Sequence, residues 1–232
     1  GRLGFAGFPG RPNRIALSET FGTGISTYQY QNFQTLDIPV SSTSALLVEL
    51  NTNEPSGAIT AVASSAGSLL VFTEQRVLRV YGGGDNAVTA VSVVSTIVAN
   101  VGCVNRFSAV EVDNAVYFLS QSGVYRVAPS LEIGDFAVRI VSTKVNNELK
   151  HPTNNLVAHL CYDYNRERLY VAVSDSFSAQ IATRLFVYYV PVDAWSEYTM
   201  FYGRWYSACS SSYDDITLFQ TAFEFDNAGS ID

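Results

Sequence analysis

Apolar residues recur at every second position along most of the chain, which is the period of a strand with one buried face. Val, Ile, Tyr, Phe and Thr dominate these segments, and Gly, Asn, Asp, Ser or Pro separates them. The pattern predicts an all-β protein with one short helix near Ser142–Lys150. The predicted strands are Arg2–Gly7, Arg14–Ser18, Ala58–Ser64, Ser68–Thr73, Arg76–Tyr81, Val88–Val94, Phe107–Val112, Ala115–Ser120, Gly123–Val127, Phe136–Val141, Leu156–Tyr162, Arg168–Ser174, Arg184–Val190, Ala194–Thr199, Arg204–Ser210 and Asp215–Thr221.

One hairpin pattern occurs twice without a gap. The segment LLVFTEQRVLRV at Leu69–Val80 aligns on VYFLSQSGVYRV at Val116–Val127, so that Arg79 falls on Arg126. A looser third copy joins RLYVAVSD to RLFVYYVPVDAWSEY in the second half of the chain, and RLGFAG followed by RIALSE echoes it near the beginning. We interpret Arg79, Arg126 and Gly123 as repeated structural positions.

A period of about 40–50 residues with four strands in each period is typical of β-propeller blades. Stacking the blades around an axis buries both faces of each sheet. A β-sandwich of unrelated hairpins is the alternative, since its strands also recur every 8–12 residues or so. The alignment without gaps favours a β-propeller built of four-stranded antiparallel blades.

The repeat also divides the chain. Residues 1–27 are predicted to form a partial first blade, with Arg2–Gly7 at the third strand position. Residues 28–57 are expected to be an inter-blade loop or insertion, because the Gln-, Ser- and Thr-rich stretch Tyr28–Asn53 does not repeat. Residues 58–232 supply the remaining blades. We expect the sequence to be an incomplete part of a larger chain whose C-terminal end is truncated.

Composition narrows the classes of function. The net charge is -7, and the chain has two lysines, Lys144 and Lys150. Such a charge argues against a protein that grips nucleic acid by its phosphates, although not against one that nucleic acid slides past. Low charge and many aromatic residues exclude a disordered chain, and no apolar run is long enough for a transmembrane helix.

Candidate chemistry is sparse in this sequence. The histidines, His151 and His159, lie in HPTNNLVAH, and no GxSxG motif surrounds a serine. We interpret His151 as a surface residue and His159 as a half-buried strand residue. No CxxC pair or calcium loop of the DxDxDG kind is present, so no metal or cofactor site is predicted. The three cysteines, Cys103, Cys161 and Cys209, are expected to be small buried hydrophobic residues.

Polar and aromatic clusters have structural interpretations as well. Gly82–Gly84 precede Asp85 rather than a helix with a P-loop lysine, which indicates an inter-strand loop. Asp163, Asp175, Asp193, Asp214 and Asp215 sit at strand ends, where aspartate starts turns. The arginines, among them Arg76, Arg79, Arg106, Arg126 and Arg139, suit ion pairs between blades or subunits. Inter-blade packing is favoured over sugar binding for an aromatic cluster of Tyr188, Tyr189, Trp195, Tyr198, Phe201, Tyr202, Trp205 and Tyr206.

The order of these motifs resembles a known family. RLGFAG and RIALSET are followed by GAITAVASSAGSLLVFTEQRVLRVYGG and then by VGCVNRFSAVEVDNAVYFLSQSGVYRV. This order resembles the tail nozzle, or tail hub, of short-tailed bacteriophages, a family also called tail tubular protein B or packaged-DNA stabilisation protein. The matching positions include Val101–Cys103, Tyr117–Ser120 and Gly123. The sequence is short for this family, and the resemblance leaves the platform domains of its members unaccounted for.

The resemblance implies a non-enzymatic virion protein located in the phage tail and assembled in the host cytoplasm. Its implied partners are identical subunits in a ring of six, a tail adaptor, tail fibre or tailspike proteins, and viral DNA that passes without tight binding. It implies no cofactor and no membrane insertion. Two other classes remain open from the residues alone: a carbohydrate-binding propeller that acts as a receptor-binding module, and a propeller hydrolase with carboxylates converging on its axis.

Overall fold

Strands make up nearly all of the regular structure in the part of the chain that can be described. The computed structural model describes residues 4–17, 46–50, 57–81, 94–130, 135–149, 158–174 and 182–199. Their strands form four antiparallel sheets, and within each sheet the strands follow one another in chain order. The predicted all-β class is therefore confirmed.

The first sheet has three strands and the other three sheets have four. Sheet 1 contains β1 (Gly4–Phe8), β2 (Arg11–Leu17) and β3 (Leu46–Glu49). Sheet 2 contains β4 (Ile59–Ser65), β5 (Ser68–Thr73), β6 (Val77–Tyr81) and β7 (Val94–Ala99). Sheet 3 contains β8 (Ala109–Val112), β9 (Ala115–Ser120), β10 (Gly123–Ser130) and β11 (Asp135–Ile140). Sheet 4 contains β12 (His159–Asp163), β13 (Arg168–Val173), β14 (Arg184–Tyr189) and β15 (Ala194–Thr199). Four-stranded antiparallel sheets in chain order are the blades of β-propellers, as the sequence predicted.

The repeat in the sequence is also a repeat of strand register. Leu69 lies opposite Val80 in the β5–β6 hairpin, and the aligned residues Val116 and Val127 lie opposite each other in the β9–β10 hairpin. The next pairs inward correspond in the same way through both hairpins. Because a slip of one residue would turn every side chain to the other face, matched register means matched faces.

The turn of each hairpin contains a hydrogen bond of the same kind. The Thr73 hydroxyl accepts from the backbone N–H of Gln75 at 3.4 Å, and the Ser120 hydroxyl accepts from Ser122 at 3.5 Å. A hydroxyl that accepts from the backbone two residues onward is a common way to stabilise a turn. The hydroxyl residue at the end of each strand therefore helps to set the register of its hairpin.

The chain comprises two compact units, and in the first, Gly1–Arg106 with Ala128–Val138, sheets 1 and 2 pack against each other. Their shared core consists of Ile15, Leu17, Val48, Leu50, Val71, Leu78 and Val80. Each sheet contributes core side chains from two adjacent strands, so the contact involves more than one strand of each sheet. This is the face-to-face packing that blades require.

Central strands are buried on both faces, which departs from the predicted period of two. Leu70, Val71 and Phe72 follow one another in β5, and each has 0% exposure. All six residues of β9 are buried as well. The sequence of a strand that is covered on both faces is a continuous apolar run, because both faces lie in an apolar environment.

In the second unit, Phe107–Val127 with Arg139–Asp232, sheets 3 and 4 are in contact. The backbone N–H of Leu160 in β12 donates to the carbonyl of Phe107, just before β8, at 2.8 Å. Elsewhere the rings of Tyr117 in β9 and Tyr188 in β14 lie 6.5 Å apart. The first strands of the two sheets thus adjoin, while their central strands meet through aromatic side chains.

Several predicted boundaries differ from the structure. The strand β3, at Leu46–Glu49, pairs with β2, although the sequence interpretation placed a loop or insertion across residues 28–57. The strand β7 covers Val94–Ala99, whereas the predicted strand Val88–Val94 lies outside the described residues except for Val94. The helix is shorter than predicted and covers only Asn146–Leu149. Both missed strands are held by pairing with a neighbour, which local composition does not reveal.

The place of the first strand in its sheet was also predicted wrongly. The strand β1 is followed by two further strands of sheet 1, whereas a third position would leave room for only one. The predicted strands Arg204–Ser210 and Asp215–Thr221 lie outside the described residues. Within the described ranges, no helix has both the length and the apolar character needed to cross a membrane.

Gly123 occupies a backbone conformation that other residues avoid. Its φ is +135°, and a Cβ there would lie 2.3 Å from Asn146 Oδ1 and 2.5 Å from Ser142 Oγ. The same serine hydroxyl accepts from the backbone N–H of Val124 at 2.8 Å and donates to Asn146. The absence of a side chain at Gly123 lets this buried hydrogen-bond network close over the start of β10.

We expect Gly123→Ala to lower the free energy of unfolding by about 3 kcal/mol, because it adds backbone strain and a clash with two polar atoms. Gly10→Ala is the matched control. Gly10 also has a positive φ, +76°, but nothing lies within 4 Å of its Cβ position. The control should therefore cost only about 1 kcal/mol. Urea unfolding measures both; equal losses would contradict the role given to the Ser142 network.

Candidate functional site

Arg79 makes the most extensive polar contact among the repeat positions. Its Nε donates to Ser68 Oγ at 2.9 Å, and a terminal nitrogen donates to Asp135 Oδ1 at 2.9 Å. The guanidinium also lies over the rings of Tyr81 and Phe136, at 4.3 and 5.3 Å from their centres. The arginine thereby connects sheet 2 with the start of β11 through one mostly buried side chain.

Arg126 occupies the aligned position in sheet 3 but has a different environment. It is exposed and lies opposite Tyr117 across the β9–β10 pair, as Arg79 lies opposite Leu70. Burial raises the pKa of the Tyr117 phenol, and the nearby positive charge of Arg126 opposes this rise. Gly123 aligns with Arg76, so this glycine has no counterpart in sheet 2. The structure therefore repeats the register and not the side-chain contacts.

Tyr188 and Trp195 from the aromatic cluster are engaged in packing. Their rings stack at 4.8 Å between centres, on neighbouring strands of sheet 4. The Trp195 indole N–H donates to the backbone carbonyl of Val141, just after β11, at 2.9 Å. This agrees with the inter-blade interpretation for these two residues. Tyr189 and Tyr198 lie nearer the surface, and Phe201, Tyr202, Trp205 and Tyr206 lie outside the described residues.

The Tyr188 hydroxyl of this aromatic pair belongs to a polar cluster that also contains Asp193 and Lys144. The Tyr188 hydroxyl donates to Asp193 Oδ1 at 2.8 Å, and the Lys144 ammonium also contacts Asp193. The Tyr188 hydrogen bond, together with the positive charge of Lys144, lowers the pKa of Asp193. Burial raises the pKa of Tyr188 to about 12, and its bond to the carboxylate adds to this rise. These ionisation states keep the tyrosine neutral as a donor and the aspartate charged as an acceptor.

Three of the histidine and aspartate residues considered in the sequence, His159, Asp163 and Asp193, lie in the described residues. His159 is half-buried and stacks on Phe107, with ring centres 5.4 Å apart. Asp163 Oδ1 accepts from the backbone N–H groups of Asn165 and Arg166, which is the predicted turn role. Asp193 has a φ of +49° and occupies a turn before β15. His151 lies outside the described residues, as do Gly82–Gly84 and Asp85, Asp175, Asp214 and Asp215.

Metal-binding chemistry has no assembled donor set in the described ranges. They contain no group of three or more His, Cys, Asp and Glu side chains placed to hold an ion. Cys103 and Cys161 occupy buried positions, as expected for small hydrophobic residues. Cys209 lies outside the described residues.

The predicted use of arginine in ion pairs extends to residues that the sequence did not single out. Arg184 donates to Glu197 at 2.7 Å and to Glu148 at 3.1 Å, and Arg14 pairs with Glu49 at 3.2 Å. The hydrogen bond from Arg14 lowers the pKa of Glu49. No motif marks these carboxylates, because each pair joins residues that are distant in sequence or lie on different strands.

No protein-family model matches the chain, and a search of curated proteins finds no match.

We expect Arg79→Gln to lower the free energy of unfolding by about 2 kcal/mol, since it removes a charge-assisted hydrogen bond and two aromatic contacts. Arg126→Gln is the matched control at the aligned, exposed position, and it should change stability by less than about 0.5 kcal/mol. Chemical denaturation measures both variants. Equal effects of the two substitutions would show that the repeat position, rather than the Asp135 contact, determines the arginine's contribution.

We expect stability to fall as the pH rises from about 10 to about 12, because the raised folded pKa of Tyr188 means that the unfolded chain loses this proton first. Its contribution is fully present below the unfolded pKa and disappears as the pH passes the folded value. Tyr188→Phe should therefore reduce the alkaline loss. Urea midpoints at about pH 8 and about pH 11 test this, and an identical shift in the variant would contradict it.

Proposed function

We propose that this chain is a structural protein of a short-tailed bacteriophage tail, where it contributes blades to a nozzle or hub ring around the DNA channel. The observation that carries the proposal is the repeated hairpin of sheets 2 and 3. Two of the segments that resemble the tail nozzle family, Tyr117–Ser120 and Gly123, lie in the sheet 3 copy of this hairpin. The support is thus a sequence resemblance located in a matched structural unit.

The use of the candidate residues is compatible with a structural role. Arg79 is engaged with Asp135, and Trp195 and Tyr188 are engaged in packing between strands and sheets. These are the residue types from which an arginine-rich or aromatic binding pocket would otherwise be built. Here they connect sheets, as a scaffold protein needs.

Charge supports a conduit rather than a DNA-gripping protein. The 21 acidic residues of the chain outnumber its 14 lysines and arginines, and the resulting net charge of -7 disfavours general binding to phosphates. Tight phosphate contacts in a channel would oppose the movement of DNA, whereas an acidic wall repels it weakly. On this proposal six copies form the ring, a tail adaptor lies on one side, and fibre or tailspike proteins attach outside.

A carbohydrate-binding propeller that acts as a receptor-binding module is the second candidate. The observation in its favour is that Tyr198 remains 49% exposed in sheet 4, while Tyr188 and Trp195 are occupied by packing. Exposed aromatic rings stack on sugars because the C–H groups of the sugar ring contact the π face of the aromatic ring. This function can coexist with a place in the virion.

Antibodies raised against the recombinant chain test the proposed location. We expect them to label the distal end of the tail when intact virions of the phage that encodes this sequence are imaged by negative-stain electron microscopy. Antibody absorbed with the recombinant chain is the control and should leave the particles unlabelled.

Two results would contradict the proposed location in the tail. Detection of the chain in lysates of infected cells, together with its absence from purified virions by mass spectrometry, would overturn a structural role in the tail. Label on the capsid rather than the tail would overturn the nozzle assignment.

A further inference from the structure

One face of sheet 4 carries a surface of Arg168, Tyr189, Ser196 and Tyr198, here called the tyrosine–arginine surface. The Arg168 guanidinium lies 4.7 Å from the centre of the Tyr189 ring, and the two residues are paired across β13 and β14. Ser196 Oγ donates to the Tyr189 hydroxyl at 3.4 Å, and that hydroxyl lies 3.4 Å from the hydroxyl of Tyr198. Three hydroxyl groups and one cation thus converge at neighbouring strands.

This surface faces away from the contact with sheet 3. Side chains alternate between faces along β14 and β15, so Tyr189 and Tyr198 point opposite to Tyr188 and Trp195. The latter two residues make the contacts with sheet 3, through Tyr117 and the carbonyl of Val141. The tyrosine–arginine surface is therefore not needed for that packing.

Arg168 has no carboxylate partner among the described residues, in contrast to three other arginines of the chain. Arg14, Arg79 and Arg184 each lie within 3.2 Å of a carboxylate oxygen. In the part of the chain that the structure describes, Arg168 forms no such ion pair and its buried Nε has no hydrogen-bond acceptor. The charge of this partly buried side chain is therefore not compensated by a described carboxylate.

We propose that the tyrosine–arginine surface binds an acidic sugar, meaning a carbohydrate unit that bears a carboxylate. The exposed Tyr198 ring offers a face on which a sugar ring stacks. The hydroxyls of Tyr189 and Ser196 suit the hydroxyls of the sugar, and the Arg168 cation suits its carboxylate. This proposal names a ligand class and residues for the carbohydrate-binding candidate, on which it rests, and it does not depend on the structural role.

The net charge of -7 does not exclude an acidic ligand. At physiological ionic strength, charges separated by more than about 8 Å are largely screened. Contact with an acidic sugar therefore depends on the nearest charge, which at this surface is Arg168. Long-range attraction is not expected. The affinity should therefore come from the sugar units that are in direct contact with the tyrosine–arginine surface.

Calorimetric titration of the recombinant chain tests the site, with glucuronic acid oligosaccharides and the same oligosaccharides after carboxyl reduction as probes. We expect the acidic form to bind more tightly. Tyr198→Ala should weaken its binding on the order of tenfold through loss of stacking. Arg168→Gln should remove most of the preference for the acidic form. Tyr198→Phe, which keeps the ring, should retain most of the affinity.

Tyr164→Ala is the matched control, because Tyr164 is a similarly exposed tyrosine of the same unit outside the surface. It should leave binding unchanged, and circular dichroism establishes that each variant is folded. Failure of the folded wild-type chain to bind either form would overturn the proposal. Equal affinity for acidic and reduced sugars, or an equal loss in Tyr164→Ala, would also overturn it. None of these outcomes bears on antibody labelling of the tail.

Discussion

A sheet whose central strand is apolar on both faces has to be covered on both sides, and this constraint organises the described structure. Leu70 and Phe72 point to one face of sheet 2, and Val71 points to the other, yet each has 0% exposure. Leaving either face in water would lose about 25 cal/mol for each Å² of apolar surface exposed. Stacked sheets meet this requirement without a separate layer of helices, which explains why the described chain contains almost none.

Apolar stacking alone does not fix how one sheet lies on the next, because hydrophobic contact is not directional. Polar bonds supply the direction. Arg79 joins two strands and an aspartate at the start of β11, and the Trp195 indole is bonded to one particular backbone carbonyl. A shift of either contact would leave a poorly solvated donor without an acceptor, which costs more than the bond itself contributes. These bonds therefore select one packing arrangement among many apolar ones.

The sequence predicted the strands and the repeat well because both depend on local information. The β5–β6 and β9–β10 hairpins contain their own turns, and the turn sets the register. The strand β3 was missed because its partner β2 lies far away in the chain, and four residues of LLVE carry little pattern of their own. The partners of Arg79 and Arg184 were missed for the same reason: Asp135 and Glu148 reach them only after folding.

The aligned arginines show what a repeat can and cannot specify. Both hairpins present an arginine at the same register position, since backbone pairing follows from the hairpin itself. The partner comes from outside the hairpin, so Arg79 is mostly buried against Asp135 while Arg126 is exposed. Function that distinguishes one sheet from another must then arise where the side chains depart from the repeat. In sheet 4 such a departure places tyrosine hydroxyls on the face opposite the contact with sheet 3, beside an arginine that has no carboxylate partner among the described residues.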